Sequence, residues 1–416
     1  MGPTWTTGNQ LRLLENGEEY FPRVLAAIAG AQRSVLLETF ILFDDEVGQP
    51  LRDALIAAAR RGVSVALTVD GFGSADLSPA FLSGLVEAGV VVRLFSPRRR
   101  LVGMRTNLFR RLHRKLVAVD ASVAFVGGIN VSVQHLIDSG PLAKQDYAVE
   151  VRGPAAREIH AFLLDAIHAN SPGPKAPPQR PARRMREAGA LAGPGAALLV
   201  TRDNDRHRRD IERQYLLAIR GAERELIIAN AYFLPGYRLL QAICDAARRG
   251  VDVQLIVQGN PDMMWVKRTV DMLYAHLREA GVRIFEYCER PLHGKVAVVD
   301  DDWATVGSSN LDPLSLFLNL EANLIIRDTA FAATLKQNLR TRMESSCQEV
   351  PATPDGARPR WQGLATALVF HALRRFPAWA GWLPAHTPKL LTPTLDAPPS
   401  GWQSGVATPP REQDCP

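Results

Sequence analysis

Apolar residues along this chain gather into short runs separated by alanine-rich amphipathic stretches, and the whole succession occurs twice. Val35–Leu42 and Leu226–Phe233 are compact, partly β-branched and bounded by turn-forming residues, which predicts a buried strand at each place. Helical spacing follows over Leu51–Arg61 and Leu239–Arg249, with basic residues in the last turn, and Gly62 and Gly250 stand where such helices end. Val63–Val69 and Val251–Val257 predict the next strands, and a second helix in each half runs to Gly89 or Gly281 before a further strand. Strands alternating with helices imply crossover connections and a largely parallel sheet covered on both faces.

The two successions also share residues. Ala31-Gln-Arg-Ser-Val-Leu-Leu-Glu38 matches Ala222-Glu-Arg-Glu-Leu-Ile-Ile-Ala229, and Ala58-Ala-Arg-Arg-Gly-Val63 matches Ala246-Ala-Arg-Arg-Gly-Val251. Leu85-Val-Glu-Ala-Gly-Val90 matches Leu277-Arg-Glu-Ala-Gly-Val282, and Leu112-His-Arg-Lys-Leu-Val-Ala-Val-Asp120 matches Leu292-His-Gly-Lys-Val-Ala-Val-Val-Asp300. Blocks in one order point to duplication, so the fold class is α/β: two similar halves, each a mostly parallel or mixed sheet flanked by helices. The expected organisation is a first half over 1–170, a proline-rich linker over 171–195, a second half over 196–346 and a C-terminal segment over 347–416. Gly89 and Gly281 are 192 positions apart but His113 and His293 only 180, so the first half carries 12 extra residues before its histidine. They lie within Pro97–Leu112, where six arginines mix with Leu, Met and Phe, a composition suited to lipid head groups and acyl chains or to a solvated loop.

At 416 residues the chain exceeds one ordinary domain of about 100–200 residues. A net charge of +6 favours anionic partners, whether phospholipid surfaces, phosphate esters or nucleic acid. Four scattered cysteines form no CxxC pair, so neither a disulfide framework nor a zinc site is expected. Met1 to Gln10 lacks an apolar h-region and no run of about 18 apolar residues occurs, so neither a signal peptide nor a transmembrane helix is expected.

The chemistry sits in the last repeated block. His113-x-Lys115-x4-Asp120 is followed by Gly127-Gly128-Ile129-Asn130, and His293-x-Lys295-x4-Asp300 by Gly307-Ser308-Ser309-Asn310. One such match is weak, whereas two with the same glycine and asparagine behind them are specific. Strand alternation puts each histidine and lysine on one face. The glycines are expected to let the turn pass close to a phosphate, and Asn130 and Asn310 to offer amides to its oxygens. Lysines neutralise a phosphodiester, one imidazole attacks phosphorus and the other manages the proton, with no metal or other cofactor required.

These residues resemble the paired motifs of the phospholipase D superfamily, whose fold joins two α/β halves about a pseudo-twofold axis so that both motifs meet. Lys144-Gln-Asp-Tyr-Ala-Val149, Ala304–Leu316 and Asn319-Leu-Glu-Ala-Asn323 are further similar to the bacterial cardiolipin synthases, in particular the shorter B type. The resemblance covers roughly residues 9 to 345. It implies a catalytic set of His113, Lys115, Asp120, His293, Lys295 and Asp300, with His113 as nucleophile and His293 as acid and base, although near-symmetry leaves that order open. Asp120 and Asp300 are better suited to brace the motif strands than to touch substrate. Asp146 and Glu321 are implied to orient the histidines, which would also favour imidazolium.

The implied reaction is phosphatidyl transfer with phosphatidylglycerol, or phosphatidylethanolamine, as substrate, at an anionic phospholipid surface on the cytoplasmic face of a bacterial cell membrane. Water as acceptor would make the same site a phospholipase D, and nucleic acid as donor a nuclease. Nucleic acid is not expected, because aromatics make up only 7% without basic interleaving. A non-catalytic basic scaffold would have no use for two such histidines. Trp361–Leu383, rich in tryptophan and broken by Arg374, Arg375 and Pro377, suits either an interfacial helix or a helix packed on the protein, and Pro398–Pro416 reads as a disordered tail.

Overall fold

The computed structural model describes residues 4–95, 100–101, 104–105, 111–168, 193–259, 273–351 and 390–391. In the first half the chain forms β1 (Thr6–Glu15), α1 (Asn16–Ala29), β2 (Ser34–Thr39), α2 (Gly48–Arg60), β3 (Ser64–Asp70), α3 (Pro79–Glu87) and β4 (Val91–Phe95). A short ribbon of β5 (Arg100–Leu101) and β6 (Met104–Arg105) follows, then β7 (Leu116–Val119), β8 (Val123–Gly127), β9 (Tyr147–Arg152) and α4 (Pro154–His168). The second half repeats the order: β10 (Gly195–Arg202), α5 (Asp210–Gly221), β11 (Glu225–Asn230), α6 (Tyr237–Arg248), β12 (Asp252–Gln258), α7 (residues 273–279) and β13 (Arg283–Tyr287). It continues with β14 (Lys295–Val299), β15 (Trp303–Gly307), α8 (Pro313–Phe317), β16 (Glu321–Arg327), α9 (Thr329–Ser346) and β17 (Cys347–Glu349), and β18 (Leu390–Leu391) comes last.

All but β5 and β6 belong to one sheet, ordered β17-β13-β12-β11-β14-β15-β16-β10-β1-β9-β8-β7-β2-β3-β4-β18. Read outward from its middle, the sheet is the same on both sides: β1 answers β10, β9 answers β16, and β4 answers β13. The seam is the antiparallel pairing of β1 with β10. Among the strands of the described residues, parallel pairing is confined to β2-β3-β4 and β11-β12-β13, the strands joined by crossover helices. The motif strands run antiparallel, because connections of three residues, 120–122 and 300–302, can only turn the chain back. The sheet is therefore mixed, and its parallel character is narrower than strand–helix alternation suggests.

Four helices end identically. Gly62, Gly89, Gly250 and Gly281 have φ between 88° and 95°, a region open to glycine. In each case the glycine N–H and the next valine N–H close back on the last turn, as Gly62 does on Ala59 O at 2.9 Å and Val63 on Ala58 O at 3.2 Å. Core formation follows the repeat: α1–α3 cover β2–β4 in one apolar cluster and α5–α7 cover β11–β13 in another. A third cluster joins α4 and α9 to strands of both halves. At the seam, Glu15 at the end of β1 accepts from Arg342 and Asn338 of α9, both at 2.7 Å, and Tyr147 donates to Asn338 at 2.8 Å.

Two expected boundaries move. β10 opens at Gly195, the last residue assigned to the linker, and residues 347–349 of the expected C-terminal segment extend the sheet beside β13. Leu390 and Leu391 pair with Leu94 and Phe95 on the opposite edge. The rest of that segment, including Trp361–Leu383 and Pro398–Pro416, lies outside the described residues, as do most of the linker and of the arginine-rich insertion. No helix of the described residues is long and apolar enough to cross a membrane.

Candidate active site

Each motif histidine stands just before a strand, on a segment held by the other half. His113 N–H donates to Leu320 O at 2.9 Å, Leu320 N–H returns to Arg111 O at 2.7 Å, and Leu112 bridges Leu320. Across the pseudo-twofold, His293 N–H donates to Gln145 O at 2.8 Å, Gln145 N–H donates to Pro291 O at 2.9 Å, and Gln145 bridges Leu292. Those partner residues immediately precede Glu321 and Asp146.

The side chains complete the exchange. His113 Nδ1 lies 3.0 Å from Glu321 Oε2, and His293 Nδ1 lies 2.5 Å from Asp146 Oδ2. Each orienting carboxylate thus serves the histidine of the opposite half, which motif spacing alone does not disclose. With Nδ1 donating to the carboxylate, each imidazole keeps its lone pair at Nε2. Lys115 Nζ folds onto His113 O at 2.8 Å and Lys295 Nζ onto His293 O. Asp146 is fixed further by Asn16, whose Oδ1 takes the Asp146 N–H at 2.8 Å. Glu321 also accepts from Ser308 Oγ at 2.5 Å.

Electrostatics confirms one site with an excess of positive charge. Burial pushes Lys115 down to about 7 and Lys295 to about 8, against the pull of Asp146 and Glu321, both of which act on both lysines. His113 is lowered by burial, with Glu321 opposing and Lys115 and Lys295 reinforcing. His293 is lowered further below its ordinary value by burial, then by Lys295, Lys144, Lys115 and His113. Glu321 pulls His113 toward imidazolium, as expected of such a partner, but desolvation and the neighbouring lysines outweigh it. Burial raises Asp146, while Glu321 is held low because His113, Lys115 and Ser308 outweigh its desolvation.

A family model described as "Cardiolipin synthase, PLD-like domain" matches residues 24–160 and 215–343, once in each half. The chain belongs to this family. It is 55% identical over 392 residues to "Cardiolipin synthase B" of Salmonella typhimurium, spanning 93% of each chain. It is 53% identical over 399 residues to the protein of the same name from Escherichia coli K12, spanning 95% of each. Among solved structures, a phosphatidylserine synthase from Haemophilus influenzae shares the fold with TM-score 0.60 at 14% identity, over 90% of this chain and 95% of that one.

Within this cardiolipin synthase family framework, the other candidate residues fall into place. Asp120 and Asp300 lie at the far ends of β7 and β14, away from the histidines. Asp120 accepts from the backbone N–H groups of Gln32, Arg33 and Ser34 at 2.7–2.8 Å, and Asp300 from Glu223, Arg224 and Glu225 at 2.8–3.1 Å. Neither reaches the reacting centre. They tie the motif strand to its neighbour. Asn130 spends its Oδ1 on Ile41 N–H at 3.3 Å, while Asn310 Oδ1 is buried with no hydrogen-bond partner. The motif glycines make room for protein rather than for phosphate: a Cβ on Gly128 would stand 2.3 Å from Asp146 Oδ1, and one on Gly307 2.3 Å from the Asn323 side chain.

Sequence reasoning passed over Gln145, Lys144, Ser308 and His135. Gln145 and Lys144 stand inside a segment already noticed, and Ser308 inside the second motif. His135 has no histidine counterpart in the repeat to mark it. One substitution tests the cradle: Gly128→Ala forces Asp146 off its position and should lower turnover about 10²-fold or more. Wild-type turnover from a folded Gly128→Ala protein would show that this carboxylate position does not matter.

Proposed function

We propose that this protein is a cardiolipin synthase, transferring phosphatidyl between phospholipids through a covalent phosphohistidine, with phosphatidylglycerol as donor and acceptor. The observation that carries the reading is the pair of carboxylate-bound imidazoles, one from each half, among two buried lysines. Neutral at rest, His113 attacks phosphorus through Nε2 as Lys115 and Lys295 neutralise the non-bridging oxygens. The P–N bond forms, the bond to the glycerol oxygen breaks, and His293 supplies the proton as glycerol departs. In the second half-reaction a hydroxyl of the second lipid gives its proton to His293 and attacks, breaking the P–N bond. In this reading Asn310 offers its amide N–H groups to the phosphate oxygens with the lysines, Asn130 holds its loop, and no metal or cofactor is needed.

An imidazole lowered by burial and by three nearby lysines needs help to hold a proton. The incoming phosphodiester provides it: its negative charge offsets the lysines and raises the acid's pKa once substrate is seated. We take His113 as the nucleophile, and trapping tests that order. Peripheral attachment to an anionic membrane surface suits the exposed apolar side chains on segments that follow the strands of the site, Ile137 and Leu142 beyond the first motif and Tyr232, Tyr237 of α6 and Leu314 of α8 in the second half.

Three outcomes are expected. Incubated with labelled phosphatidylglycerol vesicles, wild-type protein yields cardiolipin and glycerol by mass spectrometry and a labelled enzyme on acid-free quenching, whereas His113→Ala yields neither. Phosphatidic acid as the main product would make water the acceptor, and a labelled His113→Ala protein would exchange the histidine roles. Because kcat/KM reports groups of the free enzyme, it should fall about tenfold or more between pH 7 and 9 as Lys115 and Lys295 lose their protons. A flat profile across that range would leave the lysines without the charge-neutralising role. Ile137→Ser combined with Leu142→Ser should weaken co-sedimentation with anionic vesicles, and undiminished binding would place the membrane contact elsewhere.

A further inference from the structure

We infer that His135 is a positioning residue for this reaction, acting on His293 through Asp146 as a neutral hydrogen-bond donor. The two halves supply the clue by differing. Glu321 receives a second donor, Ser308 Oγ, beside its histidine. In the repeat Ser308 corresponds to Gly128, which has no side chain to give. On Asp146 the backbone N–H of Tyr147 donates to Oδ1 at 2.8 Å, and His135 stands beside Oδ2, the oxygen that His293 holds.

His135 ends a short 3-10 turn, Val133–His135, and is fully buried. Its ring lies edge-on to His293, with centroids 5.5 Å apart. Its Nδ1 is 3.8 Å from Asp146 Oδ2, the oxygen that His293 holds, and has no hydrogen-bond partner. Its Nε2 accepts the Asn130 backbone N–H at 3.2 Å. A neutral imidazole that accepts at Nε2 carries its proton on Nδ1. Burial, with His293, Lys144 and Lys295, outweighs Asp146 and keeps the ring neutral. The Nδ1–H therefore lies 3.8 Å from an Asp146 oxygen and, among the described residues, makes no hydrogen bond.

The same tautomer argues against a cation at this place. Donor atoms of His135, Asp146 and His293 all lie within 4.8 Å of one another, but a protonated Nδ1 has no lone pair to offer a metal. What it offers is a donor, slightly too far away for a hydrogen bond at rest and within reach after a shift of under about 1 Å. When His293 gives up its proton, Asp146 loses the charge it faces, and the His135 N–H takes up the carboxylate. Without that donor Asp146 becomes more basic and holds the His293 proton more tightly. The groups facing His293 are Asp146, which favours its charged form, and Lys295, Lys144, Lys115 and His113, which oppose it. Losing the donor shifts the balance toward Asp146, so the pH limb belonging to His293 moves upward.

Two near-isosteric variants separate this role from a purely structural one. The asparagine amide reaches the place of Nδ1 and keeps a donor, whereas the glutamine carbonyl reaches the place of Nε2 and keeps the acceptor for Asn130. His135→Asn should retain most of the wild-type kcat/KM and its pH profile. His135→Gln should lose about 10–100-fold, with the His293 limb displaced to higher pH. The reverse ranking, wild-type behaviour from both, or loss in both with an unmoved profile would each overturn the inference. The inference rests on the histidine chemistry proposed above, and the two can fail separately. Wild-type protein that makes no lipid product sinks the reaction, while imidazole nitrogen NMR of His135 reads the tautomer without turnover, and a proton on Nε2 sinks the donor.

Discussion

Everything in this protein depends on an exchange: each half lends a carboxylate to the other half's histidine. Asp146 holds His293 and Glu321 holds His113, and the bridges Gln145–Leu292 and Leu112–Leu320 carry these contacts on paired backbone. Neither half contains an oriented imidazole by itself. The pseudo-twofold arrangement is thus a condition of the chemistry, since the proton geometry at each ring is set from across the junction. The seam strands β1 and β10, with Glu15 bound to Arg342, serve to keep the two sides of that exchange in register.

Electrostatically the resting site is unbalanced. Lys115 and Lys295 are buried beside two imidazoles and opposed by two carboxylates, and Lys144 adds a third positive charge to the group. Burying like charges costs free energy unless an opposite charge joins them. A phosphodiester is that charge, so the site is complementary to its anionic substrate before any shape is considered. The same imbalance explains why both histidines rest neutral and ready to attack, and why the proton one of them needs arrives only with the substrate's charge.

Much of this was legible in the residues. Repeated blocks disclosed the duplication, and Gly62, Gly89, Gly250 and Gly281 marked helix ends because only left-handed backbone closes those turns. His113, Lys115, His293 and Lys295 stood out through repetition, as did Asp120 and Asp300 as braces. Legibility failed wherever the third dimension assigns partners. Nothing in the spacing says that Asp146 belongs to His293 and not to His113. The glycine after Gly127 looked like room for phosphate, because the carboxylate that fills the space is 18 residues further on. Local pattern also concealed β1, since Thr6–Glu15 mixes polar and apolar residues without a clean period, and its place at the centre of the sheet follows from its neighbours. His135 was invisible for a simpler reason: its counterpart in the duplication is Ser315, so symmetry offers no hint.

The central position of β1 bears on how the chain is made. Residues 6–15 are synthesised well before their sheet neighbours β9 and β10, which end at Arg152 and Arg202. At bacterial rates of translation the strand waits roughly 10 to 40 s for its second partner. The middle of the sheet accordingly stays open until the second half begins to emerge, and pairings this distant in sequence form slowly. A cut or a bulky insertion within β1 would unfasten both halves at once, because these ten residues are the rivet through the finished molecule.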